Sequence, residues 1–219
     1  MKKYAFLFIL LLLIPVYIYA TDGVNTVEHP AKVNSVATPD KVCGVSGLAA
    51  GGGCTTALWT NTGATNGDLD IKDSATYTFV GQQIEDSTQR IICKVAFYLS
   101  YKAGDISGKT FRAYFYTTST DDLDSGSEAD DTVTGSNDWG PVGTGTAVTF
   151  EWATGYTLSA NTVYAVVITM DGEPDASNYA EMEHTNNGVI PGGCSNYYDA
   201  TGVEKGPADR DAKMILYTE

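Results

Sequence analysis

Apolar and polar positions alternate with a period of two through most of the chain after about residue 70, and this pattern predicts half-buried strands. In RIICKVAFYLSY, Ile91, Cys93, Val95, Phe97 and Leu99 share one face, while Ile92, Lys94, Ala96 and Tyr98 share the other. KTFRAYFYTT sets Phe111, Ala113 and Phe115 together, and AVTFEW does the same with Val148, Phe150 and Trp152. These sets are expected to point into a core. TVYAVVITM reads as a further strand, with TYTFVGQQI as the first and AKMILYTE as the last. Between them lie turn-rich stretches such as YKAGDISGK, TSTDDLDSGSEADDT and GEPDASN. No helical stripe follows residue 20. Roughly six to nine strands over about 150 residues, with long connections, predict an all-β chain: a two-sheet antiparallel sandwich of jelly-roll or Greek-key type.

The hydrophobic pattern at the start is of another kind. Lys2 and Lys3 precede an apolar run from Ala5 to Tyr19, and Ala20 is a small residue at a cleavage position, so residues 1–20 read as a secretory signal peptide. The folded part is therefore expected in a secreted, extracellular or cell-surface setting, with no membrane insertion beyond the signal. Residues 21–66 are rich in Gly, Ala, Thr, Asn and Pro, lack apolar alternation, and read as a tail or linker. Within it KVNSVA (32–37) and KVCGVS (41–46) form a small repeat. Its Val33, Val36, Val42 and Val45 would supply the contacts if short strands docked on a neighbour. The sandwich is assigned to residues 67–219.

Charge narrows the partners. With 13 basic residues against 27 acidic ones the net charge is −14, which disfavours nucleic acid and anionic membrane surfaces. Four cysteines in an exported chain permit two disulfides in any of three connectivities. Pairing Cys43 with Cys54 is favoured because it closes the Gly-rich segment GVSGLAAGGG, and pairing Cys93 with Cys194 because it ties a core strand to a late loop. No CxxC pair or histidine cluster suggests zinc.

The order TYTFVGQQI, RIICKVAFYLS, GDISGKTFRAYFYT, AVTFEW, GYTLSANTVYAVVI, SNYAEME, MILYTE resembles the jelly-roll repeats of many secreted bacterial and phage-like proteins. Some of these are known as choice-of-anchor domains and are loosely similar to carbohydrate-binding modules. The resemblance covers about residues 70–219. Leu158, Ala160, Thr162 and Tyr164 look like a Greek-key corner in which the tyrosine hydroxyl bonds back to the chain. The resemblance implies display, anchoring or glycan contact, and no single function.

Catalytic chemistry has few candidates. His29 and His184 are the only histidines, no GxSxG elbow occurs, and His184 is expected on the surface at a strand end. Glu181 and Glu183 in YAEMEH share a strand face, as the two carboxylates of a laminarinase-like glycoside hydrolase would. The further acidic residue of that pattern is missing, with Met182 and His184 in the neighbouring places, so these glutamates are expected as solvated surface and no enzyme is expected. Structural calcium is the one cofactor expected: Asp122, Asp124, Glu128 and Asp130 surround Gly126 and would converge if the loop bends there. A second acidic stretch holds Asp68, Asp70 and Asp73. For sugar stacking, the candidates are Trp139, Tyr179, Tyr197 and Tyr198, with Asn178 as a polar partner. A rival surface is a flat aromatic face of Tyr98, Tyr114 and Tyr116, expected on neighbouring strands. The leading expectation is a secreted, non-catalytic binding or adhesion module for an extracellular or cell-surface glycan. The alternative is a self-assembling fibre or appendage subunit joined by strand donation from the tail, with the hydrolase as an outlier.

Overall fold

The computed structural model describes residues 54–219 except 120, 142, 187–188, 194 and 209, together with 41–42 and 45–46. The chain divides into two compact units, Met1–Ala50 and Gly51–Glu219. In the first, β1 (Lys41–Val42) pairs antiparallel with β2 (Val45–Ser46), so the ladder joins the two halves of the KVCGVS copy. The signal segment and the KVNSVA copy lie outside the described residues.

The second unit is all β among the described residues. Its strands are β3 (Thr56–Asn61), β4 (Gly67–Ile71), β5 (Phe79–Ile84), β6 (Arg90–Ala103), β7 (Thr110–Ser119), β8 (Asp122–Glu128) and β9 (Val133–Thr134). There follow β10 (Thr146–Leu158), β11 (Tyr164–Met170), β12 (Tyr179–Thr185), β13 (Ser195–Tyr198), β14 (Glu204–Ala208), β15 (Asp211–Ala212) and β16 (Met214–Thr218). They build two seven-stranded antiparallel sheets. Within these, β4–β12–β6–β10 and β5–β11–β7–β8 follow the jelly-roll order, the chain changing sheet at every step except β7 to β8. The remaining strands are additions. β13 and β14 extend the second sheet beyond β5, and β9 pairs with β7. β6 has 14 residues, long enough for β12 and β16 to sit end to end along one of its flanks.

The core between the sheets is the one the alternation predicts: Val95, Phe97, Leu99, Phe111, Ala113, Phe115 and Phe150 are fully buried in it. The pattern breaks at the start of β6. Ile91 is 39% exposed and Ile92 is fully buried, the reverse of the expected faces. The cause is a bulge: Tyr217 and Thr218 of β16 oppose Lys94 and Ile92, which leaves Cys93 as an extra residue and inverts the alternation before it. The Greek-key corner is present, with Ser159 N donating to the Tyr164 hydroxyl at 3.0 Å. One buried polar cluster bridges the sheets. The Gln82 amide donates to Asp211 at 3.2 Å and accepts from Ala212 N at 2.7 Å, while Asp211 also accepts from the amides of Val189 and Ile190 at 2.6 and 3.1 Å.

The structure departs from the expected domain boundary and from the expected cysteine pairing. Residues 56–61, read as linker, form the edge strand β3 paired with β16, so the sandwich begins upstream of residue 67. The disulfide links Cys54 to Cys93, with Cα atoms 5.8 Å apart, which overturns both favoured pairings. The reason is the edge strand itself: β3 starts opposite Thr218, Thr218 in turn lies opposite Ile92, and this brings Cys54 to the bulged Cys93 around the end of β16. Cys43 and Cys194 lie outside the described residues.

Candidate functional site

The sugar-stacking candidates do not form one surface. Trp139 is 8% exposed, its ring set edge-on to Phe111 at 4.8 Å, and Tyr198 is fully buried. Asn178 is a loop tie, donating to Asp175 at 2.7 Å and accepting from Asp105 N at 2.7 Å. Apolar rings in polar sequence surroundings have folded inward because burying them outweighs the cost of bending short loops around them. Only Tyr179 and Tyr197 share a neighbourhood. Both are half-buried near Asp70 and Asp73, and Tyr197 packs against Tyr77 at 4.2 Å. Burial, followed by the Asp70 charge, raises the Tyr197 hydroxyl pKa.

The acidic stretch Asp122 to Glu128 is strand β8 rather than a bent loop. The strand is bulged between Leu123 and Gly126, which puts Glu128 on the face of Leu123 and Gly126 and Asp122 on the other. Asp122 accepts from Glu204 N at 2.9 Å, Glu128 pairs with Arg112 at 3.1 Å, and Asp130 accepts from Ala153 N. No metal-binding group of three or more His, Cys, Asp or Glu occurs among the described residues.

Glu181 and Glu183 share the outer face of β12, as expected, but both are fully buried rather than solvated. Glu183 is held by Thr65 at 2.8 Å, by Lys213 at 3.0 Å and by Gly145 N. Glu181 contacts Lys102 and stands opposite Asp70, with Asp68 also beside it. Burial first, and the neighbouring Asp68 second, push its carboxyl up to about 8, whereas the contact with Glu181 raises the pKa of the more exposed Lys102. His184 is likewise buried, at 2% exposure, not on the surface. Arg210 Nη1 lies 2.5 Å from its Nε2, and burial followed by the Arg210 charge lowers the imidazole to about 4.

The aromatic surface lies on the other sheet. β6 and β7 belong to different sheets, so Tyr98 does not join Tyr114 and Tyr116; it sits beneath Lys213 Nζ at 4.9 Å. On the outer face of the second sheet, Phe79, Tyr114 and Tyr116 are half-buried over Ala165, Val167, Tyr198 and Leu123. Phe79 meets Tyr114 and Tyr116 edge-on at 6.1 and 6.2 Å, and the two tyrosines lie 5.7 Å apart. Gly126 makes room for Tyr116, since a Cβ there would sit 2.5 Å from the ring, whereas Gly81 serves the close approach of β5 to β11, where a Cβ would sit 2.1 Å from the Val166 carbonyl oxygen. Hydrogen-bonding groups frame the rings. Glu128 lies opposite Tyr114 and pairs with Arg112, while Asp121, Asp122 and Glu204 gather near Tyr198. Burial and then the Glu128 charge push the Tyr114 hydroxyl up to about 12. Tyr114 and Tyr116 were visible in the alternation as the set facing away from the core. Phe79 was missed, although it alternates against Val80 and Ile84, because a single ring in a short strand carries no face assignment until its neighbours are known. No protein-family model matches the chain, and no curated protein matches it significantly.

Proposed function

We propose that this chain is a secreted, non-catalytic binding module for an extracellular or cell-surface glycan, and that Phe79, Tyr114 and Tyr116 form its principal contact surface. The supporting observation is the apolar cluster on the outside of the second sheet. The outer face of an antiparallel sheet is normally polar, and a patch of rings there marks a ligand or partner surface. Aromatic planes bounded by carboxylates and a guanidinium suit a sugar chain: the rings take the apolar ring faces, and Arg112, Glu128, Asp121 and Glu204 offer donors and acceptors for hydroxyls. The net charge of −14 favours neutral over acidic polysaccharides.

The test is a polysaccharide array followed by calorimetry on the best ligand, with Tyr114→Ala and Tyr116→Ala as surface variants and Tyr98→Ala as a control on the other sheet. Each surface variant is expected to weaken binding about tenfold, close to 1.4 kcal/mol, while the control leaves it unchanged. Equal affinity of all variants, or no binding to any neutral glycan, refutes the assignment.

A further inference from the structure

Trp59 stands in a setting different from that of the other two tryptophans. Trp139 and Trp152 are 8% and 4% exposed, whereas Trp59, on edge strand β3, packs partly against the core and is half-buried at a groove of about 430 Å³. The walls come from the turn between β5 and β6, the turn between β10 and β11, and the loop after β12. They are tied to one another by the main chain: Asn161 N donates to Asp86 O at 2.7 Å, and Glu85 N donates to Pro191 O at 2.9 Å. Gly192, at φ +105°, lies so close to Glu85 that a Cβ there would be 2.1 Å from the Glu85 nitrogen. Asp86 and Arg90 form an ion pair at 2.8 Å, with the Arg90 side chain 38% exposed and Asp86 11% exposed.

We infer that this groove is a second glycan subsite, which takes a neutral pyranose at the end of a sugar chain. The inference rests on the glycan-binding reading and adds a site and a ligand class to it. An indole plane suits the apolar face of a pyranose, Arg90 and Asn161 supply donors, and Asp86 and Glu85 supply acceptors. The Asp86–Arg90 pair is internally neutral, so Glu85 leaves the groove negative and opposed to an acidic sugar. A cavity of this size suits about one or two sugar rings rather than a long chain. The cross-tied walls leave little to order on binding.

Trp59 is the only half-exposed tryptophan, so its emission reports on the groove. The full chain is titrated with methyl glycosides of neutral hexoses and N-acetylhexosamines, and with methyl glucuronide. The expected result is a saturable emission change with at least one neutral glycoside and none with the glucuronide. That change should disappear in Trp59→Phe, weaken about tenfold in Asn161→Ala, and persist in Tyr114→Ala. If glycan binding responds to Tyr114→Ala while Trp59 emission is silent and Asn161→Ala has wild-type affinity, the subsite is refuted and the principal surface stands. Preference for the glucuronide overturns the ligand class. No binding of any glycan or glycoside overturns both.

Discussion

Ionisation of Glu181 should make this protein less stable as pH rises through neutrality. The carboxyl is fully buried, with Asp68 and Asp70 beside it and Lys102 as its cationic contact. Its pKa rises from 4.5 to about 8 on folding, so the folded state holds a proton that the unfolded chain releases. The contribution is fully present below pH 4.5 and is lost as pH climbs to 8, after which it stays flat. A span of about 3.5 in pH corresponds to about 5 kcal/mol, and partial hydration of the ionised group reduces this to an expected loss of about 2–5 kcal/mol. Asp70, also raised by burial, acts in the same direction. Urea denaturation at pH 6.5, 7.5 and 9 reads the effect as a falling midpoint at constant slope. Glu181→Gln keeps the shape and removes the proton, so its midpoint should hold nearly steady over the same range and exceed the wild-type midpoint at pH 9. Parallel decline of the two proteins would refute the reasoning, because the loss would then come from other groups.

His184 should act in the opposite direction at lower pH. Its pKa falls from 6.5 to about 4 on folding, so its contribution is present above 6.5 and is lost as pH drops towards 4, by up to about 3 kcal/mol. Between pH 4.5 and 6.5 the contributions of these two groups offset each other, so His184→Gln should fall more steeply than the wild type with rising pH there in the same urea assay. The Cys54–Cys93 bridge closes a separation of 39 residues, and the Cys54→Ser/Cys93→Ser variant should lose about 2–4 kcal/mol in urea at pH 7. Asp211→Ala leaves the Val189 and Ile190 amides without their acceptor, while Gln82 Nε2 keeps the Gln83 and Gly193 carbonyls, and should cost about 2–4 kcal/mol, whereas Asp211→Asn, which keeps one acceptor oxygen, should lose less by thermal melting.

Alternation carried the fold wherever strands are regular. The face of Val95, Phe97 and Leu99, the face of Phe111, Ala113 and Phe115, and the corner at Tyr164 are all present as the sequence implies. It failed where a strand exists only through its partner. β3 has no apolar rhythm of its own and is held by β16 and the disulfide, and the bulge at Cys93 inverts Ile91 and Ile92 without any local signal. The site was less legible still. Trp139 and Tyr198 have polar neighbours in sequence and lie buried, while Trp59 was lost in a segment read as linker.

From its own residues the chain determined that it is a β protein and which side chains face inward along its longer strands, because side-chain direction alternates with a fixed period of two. Only the tertiary structure decided which strands share a sheet, and that choice separated Tyr98 from Tyr114, buried Glu181 and His184, and opened the groove at Trp59. The physical reason is that exposure belongs to neighbours brought together across the fold, and the jelly-roll path places residues far apart in sequence side by side.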